Sequence, residues 1–308
     1  MTSRKFEVAA AGAVVAVVVV AGLLLSAWRG FPKGVDAYQH LTRLNFVADW
    51  FPHHNWFYAW AAGMPMFDNY PGLPYVAALP FVRLLGDTTA LELMALVAMV
   101  AFGLGLYGHL RVRTGRPDIA LLAAVMVVTS MAIWHFVLAS GVYARVVAMG
   151  FGGLAWWAHA MALSRHSGKW WALTAVLIAA TIACHPVTGA FVAGYVALVQ
   201  LSAMGLRGIR PLLALAALAF LLAAQPILSS LSFGIGGTIL GVDRPELGYS
   251  SPAQLVAPQF AGFAAFSIPV LVVLLQLPRR FWRALGAGIG LLAIIAYMFA
   301  PNWRVPTR

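Results

Sequence analysis

A chain of 308 residues ordinarily divides into two domains, but the composition overrides that expectation. Hydrophobic residues make up 62% of the chain and charged residues 9%, where a soluble domain carries about a quarter charged; mean hydropathy is +0.86. That excludes an ordinary soluble enzyme and a disordered chain, and a lone cysteine, Cys184 in an apolar run, excludes a disulfide scaffold. Apolar stretches alternate with short polar breaks, which predicts an all-α polytopic transmembrane bundle, a single transmembrane domain over 1–308, rather than a barrel. The net charge of +11 comes in small basic groups between apolar segments, as topology signals do. No contiguous basic face is visible, so nucleic acid is not an expected partner.

The first apolar run, about Phe6 to Trp28, follows Arg4 and Lys5. Its apolar core is long for a signal peptide and is read as a retained first span. Residues 29–87 form a first long loop rich in aromatics and prolines, with one helix expected through Asp36–Asp49. Within that loop Leu73 to Leu85 is apolar but too short to cross, so an interfacial or re-entrant helix is expected there. Further spans are expected at about 88–110, 119–138, 146–164, 170–186, 188–206, 211–231, 257–277 and 284–300, nine in all, with a second long loop at 232–256.

Twelve of the 20 basic residues fall in one set of short segments, among them Arg4, Lys5, Arg111, Arg113, Arg116, Arg165 and Lys169. Short basic loops mark the cytoplasmic side. The N-terminus is therefore expected inside, and both long loops and the C-terminus outside. Seven of the nine acids fall on or near the outer side, which makes it the expected place for acid–base chemistry.

Asp36, His40 and Arg43 stand at i, i+4 and i+7, one face of a helix. An acid, an imidazole and a guanidinium so arranged can hold a proton or an anion; a solvated helix with an i,i+4 pair has the same spacing. Asp49, His53 and His54 are weak as a metal set, because adjacent histidines in an extended segment point opposite ways. Trp50, Trp56, Tyr58 and Trp60 suit a membrane-interface belt or stacking on sugar rings. Arg145, where a span begins, is costly near hydrocarbon unless it snorkels, pairs or holds a lipid phosphate. His185 precedes Pro186 at a helix end, and His109, His159 and His166 read as interfacial. Gly234, Gly236 and Gly237 open the second loop, which continues to Asp243-Arg244-Pro245-Glu246 and suits either a flexible cover or a plain connection. Gly103-x-Gly105 and Gly286-x-Gly288-x-Gly290 suit close helix packing.

A first span followed by D-x-Y-x-H-L-x-R from Asp36, then W-F-P-H-x-N-W from Trp50, then Y-P-x-L-P-Y from Tyr70 resembles the GT-C superfamily of membrane glycosyltransferases. The likeness is strongest to the 6-pyruvoyl-tetrahydropterin-synthase-related integral membrane proteins, and more distant to oligosaccharyltransferase catalytic subunits. Residues 34–80 carry most of it, with weaker echoes at Gly141-Val-Tyr-Ala-Arg145 and Cys184-His185-Pro186.

The resemblance implies a membrane glycosyltransferase-like protein that uses a polyprenyl-phosphate-linked sugar at the outer face of a prokaryotic inner membrane. Asp36 matches the position of the family's catalytic carboxylate. His40, Arg43, Arg145, His185 and Arg244 are the expected substrate-binding groups around the leaving phosphate. No cofactor is expected, and a divalent metal is not favoured, because the segment Ala139–Arg145 lacks the acids that the oligosaccharyltransferases carry there. The alternative is a non-catalytic integral subunit of a larger membrane complex that keeps the GT-C-like fold, which the short C-terminus and sparse acids would fit. Expected partners are membrane lipids, the lipid-linked donor and, in the alternative, other membrane subunits. A transporter is disfavoured because the span interiors lack the Asp, Glu or Lys of an ion path, Glu92 being the marginal case.

Overall fold

The computed structural model describes residues 3–29, 36–50, 56–57, 64–65, 72–130, 133–134, 137 and 142–228. All of them belong to one of two compact units, Met1–Pro269; the second, Val270–Arg308, lies outside the described residues. The expected spans at 257–277 and 284–300, the loop at 232–256 and the Gly286–Gly290 cluster also lie outside them.

Nine α-helices are described: α1 Ser3–Arg29, α2 Ala37–Trp50, α3 Leu73–Leu85, α4 Asp87–Thr114, α5 Pro117–Val128, α6 Tyr143–Arg165, α7 Gly168–Cys184, α8 Pro186–Met204 and α9 Ile209–Leu222. A single 3₁₀ turn, Gly205–Gly208, joins the last two. Among the described residues, the one extended pairing is two residues long: β1 Trp56–Phe57 runs antiparallel to β2 Met64–Pro65. The described residues are therefore helical apart from that short pair and the connecting turns.

The breaks are local and chemical. Gly115, at φ 68°, takes the left-handed conformation that ends α4, and its N–H returns to the Arg111 carbonyl at 2.9 Å. Pro117 then opens α5, where a missing N–H costs nothing. The α7–α8 junction is a single residue: His185 is extended and Pro186 starts the next helix. The side chain of His185 caps that helix by accepting from the Thr188 N–H at 3.2 Å.

Among the described residues, four segments are by length and composition long and apolar enough to cross a membrane: Lys5–Leu24, Asp87–Thr114, Tyr143–Arg165 and Pro186–Leu222. Leu73–Leu85, Pro117–Val128 and Gly168–Cys184 are apolar but shorter. An integral membrane protein is compatible with this set. The helix expected through 119–138 ends as α5 at Val128 within the described residues, and that expected from 211 joins α8 through the 3₁₀ turn.

The core is the pair α4–α6, flanked by α1 and α5 on one side and by α7 and α8 on the other. Small residues bring the two central helices together. A Cβ on Gly150 would lie 2.8 Å from the Ala98 carbonyl oxygen, and one on Gly153 would lie 2.9 Å from that of Phe102. Lipid is as apolar as leucine, so such helices associate through close packing and interhelical hydrogen bonds rather than hydrophobicity.

The hydrogen bonds correct one expectation. His109 and His159 are not interfacial: each is 1% exposed. His109 contacts the Trp156 carbonyl at 2.9 Å and the Tyr195 hydroxyl at 2.8 Å, and His159 contacts Gln200 Oε1 at 2.9 Å. These bonds tie α4 to α6 and both to α8. Helical periodicity turned the two imidazoles inward, and each found a partner there; sequence distance from a helix end does not reveal that. His166, in contrast, is exposed and ends α6 at φ 50°.

Candidate functional site

At the Asp87 end of α4, the helices α2 and α3 lie across the ends of α4, α6 and α7. Helix α2 starts where expected, the His40 N–H bonding the Asp36 carbonyl at 3.0 Å. The apolar residues Leu44, Phe46 and Val47 pack it down. That packing carries His40 and Arg43 inward, to 1% and 8% exposure, while Asp36 is half-buried at the start of the helix. The solvated-helix alternative for this face does not hold: two of its three polar groups are buried.

His40 is wedged between two tyrosines. Its Nδ1 meets the Tyr75 hydroxyl at 2.6 Å, and the Tyr143 ring stands edge-on to it at 5.8 Å. Tyr75 comes from α3, placed there by the turn at Gly72 and Pro74, and Tyr143 from the first turn of α6.

Charge brings the remaining candidates to the same place. Burial raises the Asp36 carboxyl above its ordinary value of 3.8, and the Arg43 and Arg145 guanidinia pull against that rise. Burial pushes His40 from 6.5 down to about 3, helped by Arg43 and His185. Arg145 in turn acts on His185. Thus Asp36, His40, Arg43, Arg145 and His185, expected from separate parts of the chain, form one cluster; Arg244 lies outside the described residues. With His185 Nδ1 accepting from the Thr188 N–H, the neutral ring carries its proton on Nε2, which makes Nε2 a donor.

The cluster holds one carboxylate against two guanidinia and imidazoles of which His40 is held neutral. Its net charge is positive, which suits an anionic oxygen, and its carboxylate is more basic than one in water. Among the described residues no group of three or more His, Cys, Asp and Glu can hold a metal ion. His53 and His54, Tyr58 and Trp60, and the segment Ala139–Ser140 lie outside the described residues.

Tyr75 and Tyr143 were not singled out from sequence, although each belongs to a quoted motif: Tyr75 closes the Y-P-x-L-P-Y segment and Tyr143 is the middle residue of Gly141–Arg145. Either tyrosine by itself reads as an interfacial aromatic. Comparison with family models, curated proteins and solved structures finds no match to this chain.

The buried imidazole makes stability depend on pH. His40 is favoured neutral in the folded state, while the unfolded chain takes up a proton below 6.5. Its contribution is complete above that value and is lost as pH falls toward about 3, approaching about 1.4 kcal/mol per pH unit. Asp36 has the opposite sign: its raised value favours folding below 3.8 and loses that contribution as pH rises through the raised value. The difference in detergent unfolding free energy between wild type and His40→Asn should therefore shrink as pH falls from 6.5. A difference independent of pH would show that the ring is not held neutral.

Proposed function

We propose that this protein is a GT-C-type membrane glycosyltransferase, with nine spans, that transfers a sugar from a polyprenyl phosphate at the outer membrane face. The observation that supports this reading most is the convergence of Asp36, Arg43, Arg145, His40 and His185 in one half-buried, net-positive cluster. In the reaction, the acceptor hydroxyl bonds to the anomeric carbon of the donor sugar as its proton passes to the Asp36 carboxylate. The bond from that carbon to the phosphate oxygen breaks, and polyprenyl phosphate leaves. Burial makes Asp36 a stronger base. Arg43 and Arg145 take the charge that develops on the leaving phosphate, with His185 Nε2–H as a further donor. His40, clamped by Tyr75, holds the α2 face in register.

The test is a reconstituted assay with polyprenyl-phosphate-linked sugars and a panel of hydroxyl acceptors, scoring release of polyprenyl phosphate. Saturable release that requires an acceptor is expected. No release from any donor, with other membrane subunits copurifying in fixed ratio, would favour the non-catalytic subunit instead.

The orientation is tested separately. Asp49 and Lys169 are both exposed, at opposite ends of the helices, and Cys184 is buried and gives little background. In intact cells a membrane-impermeant maleimide should label Asp49→Cys readily, and Lys169→Cys only after permeabilisation. The reverse pattern would overturn the assignment of the two faces.

A further inference from the structure

His185 is the single residue between α7 and α8, and its backbone is fully engaged there. Its N–H bonds the Thr181 carbonyl at 2.9 Å, and its carbonyl accepts the Gly189 N–H at 2.9 Å. Its ring Nδ1 meets two groups of one residue, the Thr188 N–H at 3.2 Å and the Thr188 hydroxyl at 2.9 Å. The hydroxyl breaks a pattern. Thr42, Thr114, Thr129, Thr174 and Thr181 each send theirs to the carbonyl four residues back. For Thr188 that carbonyl belongs to Cys184, which lies before the break, in α7. The reciprocal capping bond is closed to it too, because the His185 N–H is already bonded to Thr181. The hydroxyl turns to the imidazole instead.

The backbone N–H can only donate, so Nδ1 carries a lone pair, and the hydroxyl, which can rotate, donates to it as well. Turning the ring over would set a C–H against both donors, so they fix which edge faces α8. Burial and the Arg145 guanidinium hold the ring neutral, pushing it from 6.5 down to about 4. The Nε2–H is then the one ring N–H left to meet another element. The cap of α8 is complete with the Thr188 N–H alone, so the hydroxyl adds nothing that the helix requires.

We propose that Thr188 is a positioning residue, whose hydroxyl pins the His185 imidazole with its Nε2–H turned away from α8, as the donor that the transfer reaction uses. The use rests on the function proposed above; the pinning does not. One bond to Nδ1 leaves the ring free to swing about its own axis, and a second donor from the same turn removes that freedom. A ring that swings takes its proton off the phosphate oxygen, where negative charge grows as the bond to the sugar breaks.

Two measurements test this. The first is nitrogen NMR of the full-length, histidine-labelled protein in nanodiscs. His185 is identified by the signal that His185→Asn removes; asparagine keeps the cap and lacks the ring. Wild type should show a bare Nδ1 and a protonated Nε2. Thr188→Val should shift the Nδ1 resonance and Thr188→Ser should return it. Thr181→Val, whose lost hydroxyl bonds the Leu177 carbonyl, should leave it in place. The second is the transfer assay. Thr188→Val should lower kcat about 3–10-fold, the worth of one neutral hydrogen bond, with KM for the donor little changed, and Thr188→Ser should restore it. In a His185→Asn background the same change should cost nothing further, because the hydroxyl acts through the ring. A protonated Nδ1 in wild type, an Nδ1 resonance or a kcat indifferent to Thr188→Val, or an equal loss of kcat in the His185→Asn background would each overturn the proposal. The expected Nδ1 signature in a protein without transfer activity would support the pinning and count against the transferase reading alone, so the two fail separately.

Discussion

Asp36→Asn should lower sugar transfer by about 10²–10⁴-fold, the usual worth of a general base. The amide keeps the shape of the side chain and removes its basicity. The loss should fall on kcat. The charge that disappears is negative and lies near Arg43 and Arg145, so their hold on an anionic donor is kept or strengthened and KM should not rise. Asp49→Asn is the control: Asp49 lies exposed near the far end of α2, and its loss should change transfer little. Folding is checked by the melting temperature, which the Asn variant should retain, because burial disfavours the charged form that it removes. Transfer at the wild-type rate by Asp36→Asn would end the base assignment.

Gly105→Ala should cost about 3 kcal/mol, the upper end of what overpacking a core usually costs, and with it much of the folded yield. A Cβ at Gly105 would overlap the backbone of Gly153 and Leu154 on α6, and backbone cannot rotate aside as a side chain can. The helices would have to separate, and every contact between α4 and α6 would loosen with them. Gly194→Ala gives the comparison. On α8 nothing lies within 4 Å of its added Cβ, so it should be neutral or gain up to about 1 kcal/mol from helix propensity. Equal yields and melting temperatures for the two variants would show that the α4–α6 contact is looser than the structure has it.

Both variants test features that were partly legible in the sequence. Gly103-x-Gly105 announced a close helix contact, but not that its partner is Gly153, because a small-residue pair is symmetric with respect to every helix it can meet. The i, i+4, i+7 spacing of Asp36, His40 and Arg43 announced one helical face. It left open whether that face meets water or protein, since α2 is short and only mildly apolar. The contacts with α3, α4 and α6 decide that it is buried. His109 and His159 went the other way: a position near a helix end reads as interfacial, and the tertiary partners Tyr195 and Gln200 make it interior.

The sequence by itself determined the helical class and the places where the described helices stop. Those follow from composition, from the lengths of apolar runs, and from Gly and Pro at the breaks, all of which are local properties. Only the tertiary structure decided that Arg145, over a hundred residues along the chain, acts on Asp36, and that His185 acts on His40 and is acted on by Arg145. The reason is physical: a side chain's charge and hydrogen-bonding partners depend on which helices pack together, and that packing is chosen by backbone approach at residues such as Gly105 and Gly153, far along the chain from the groups it brings together.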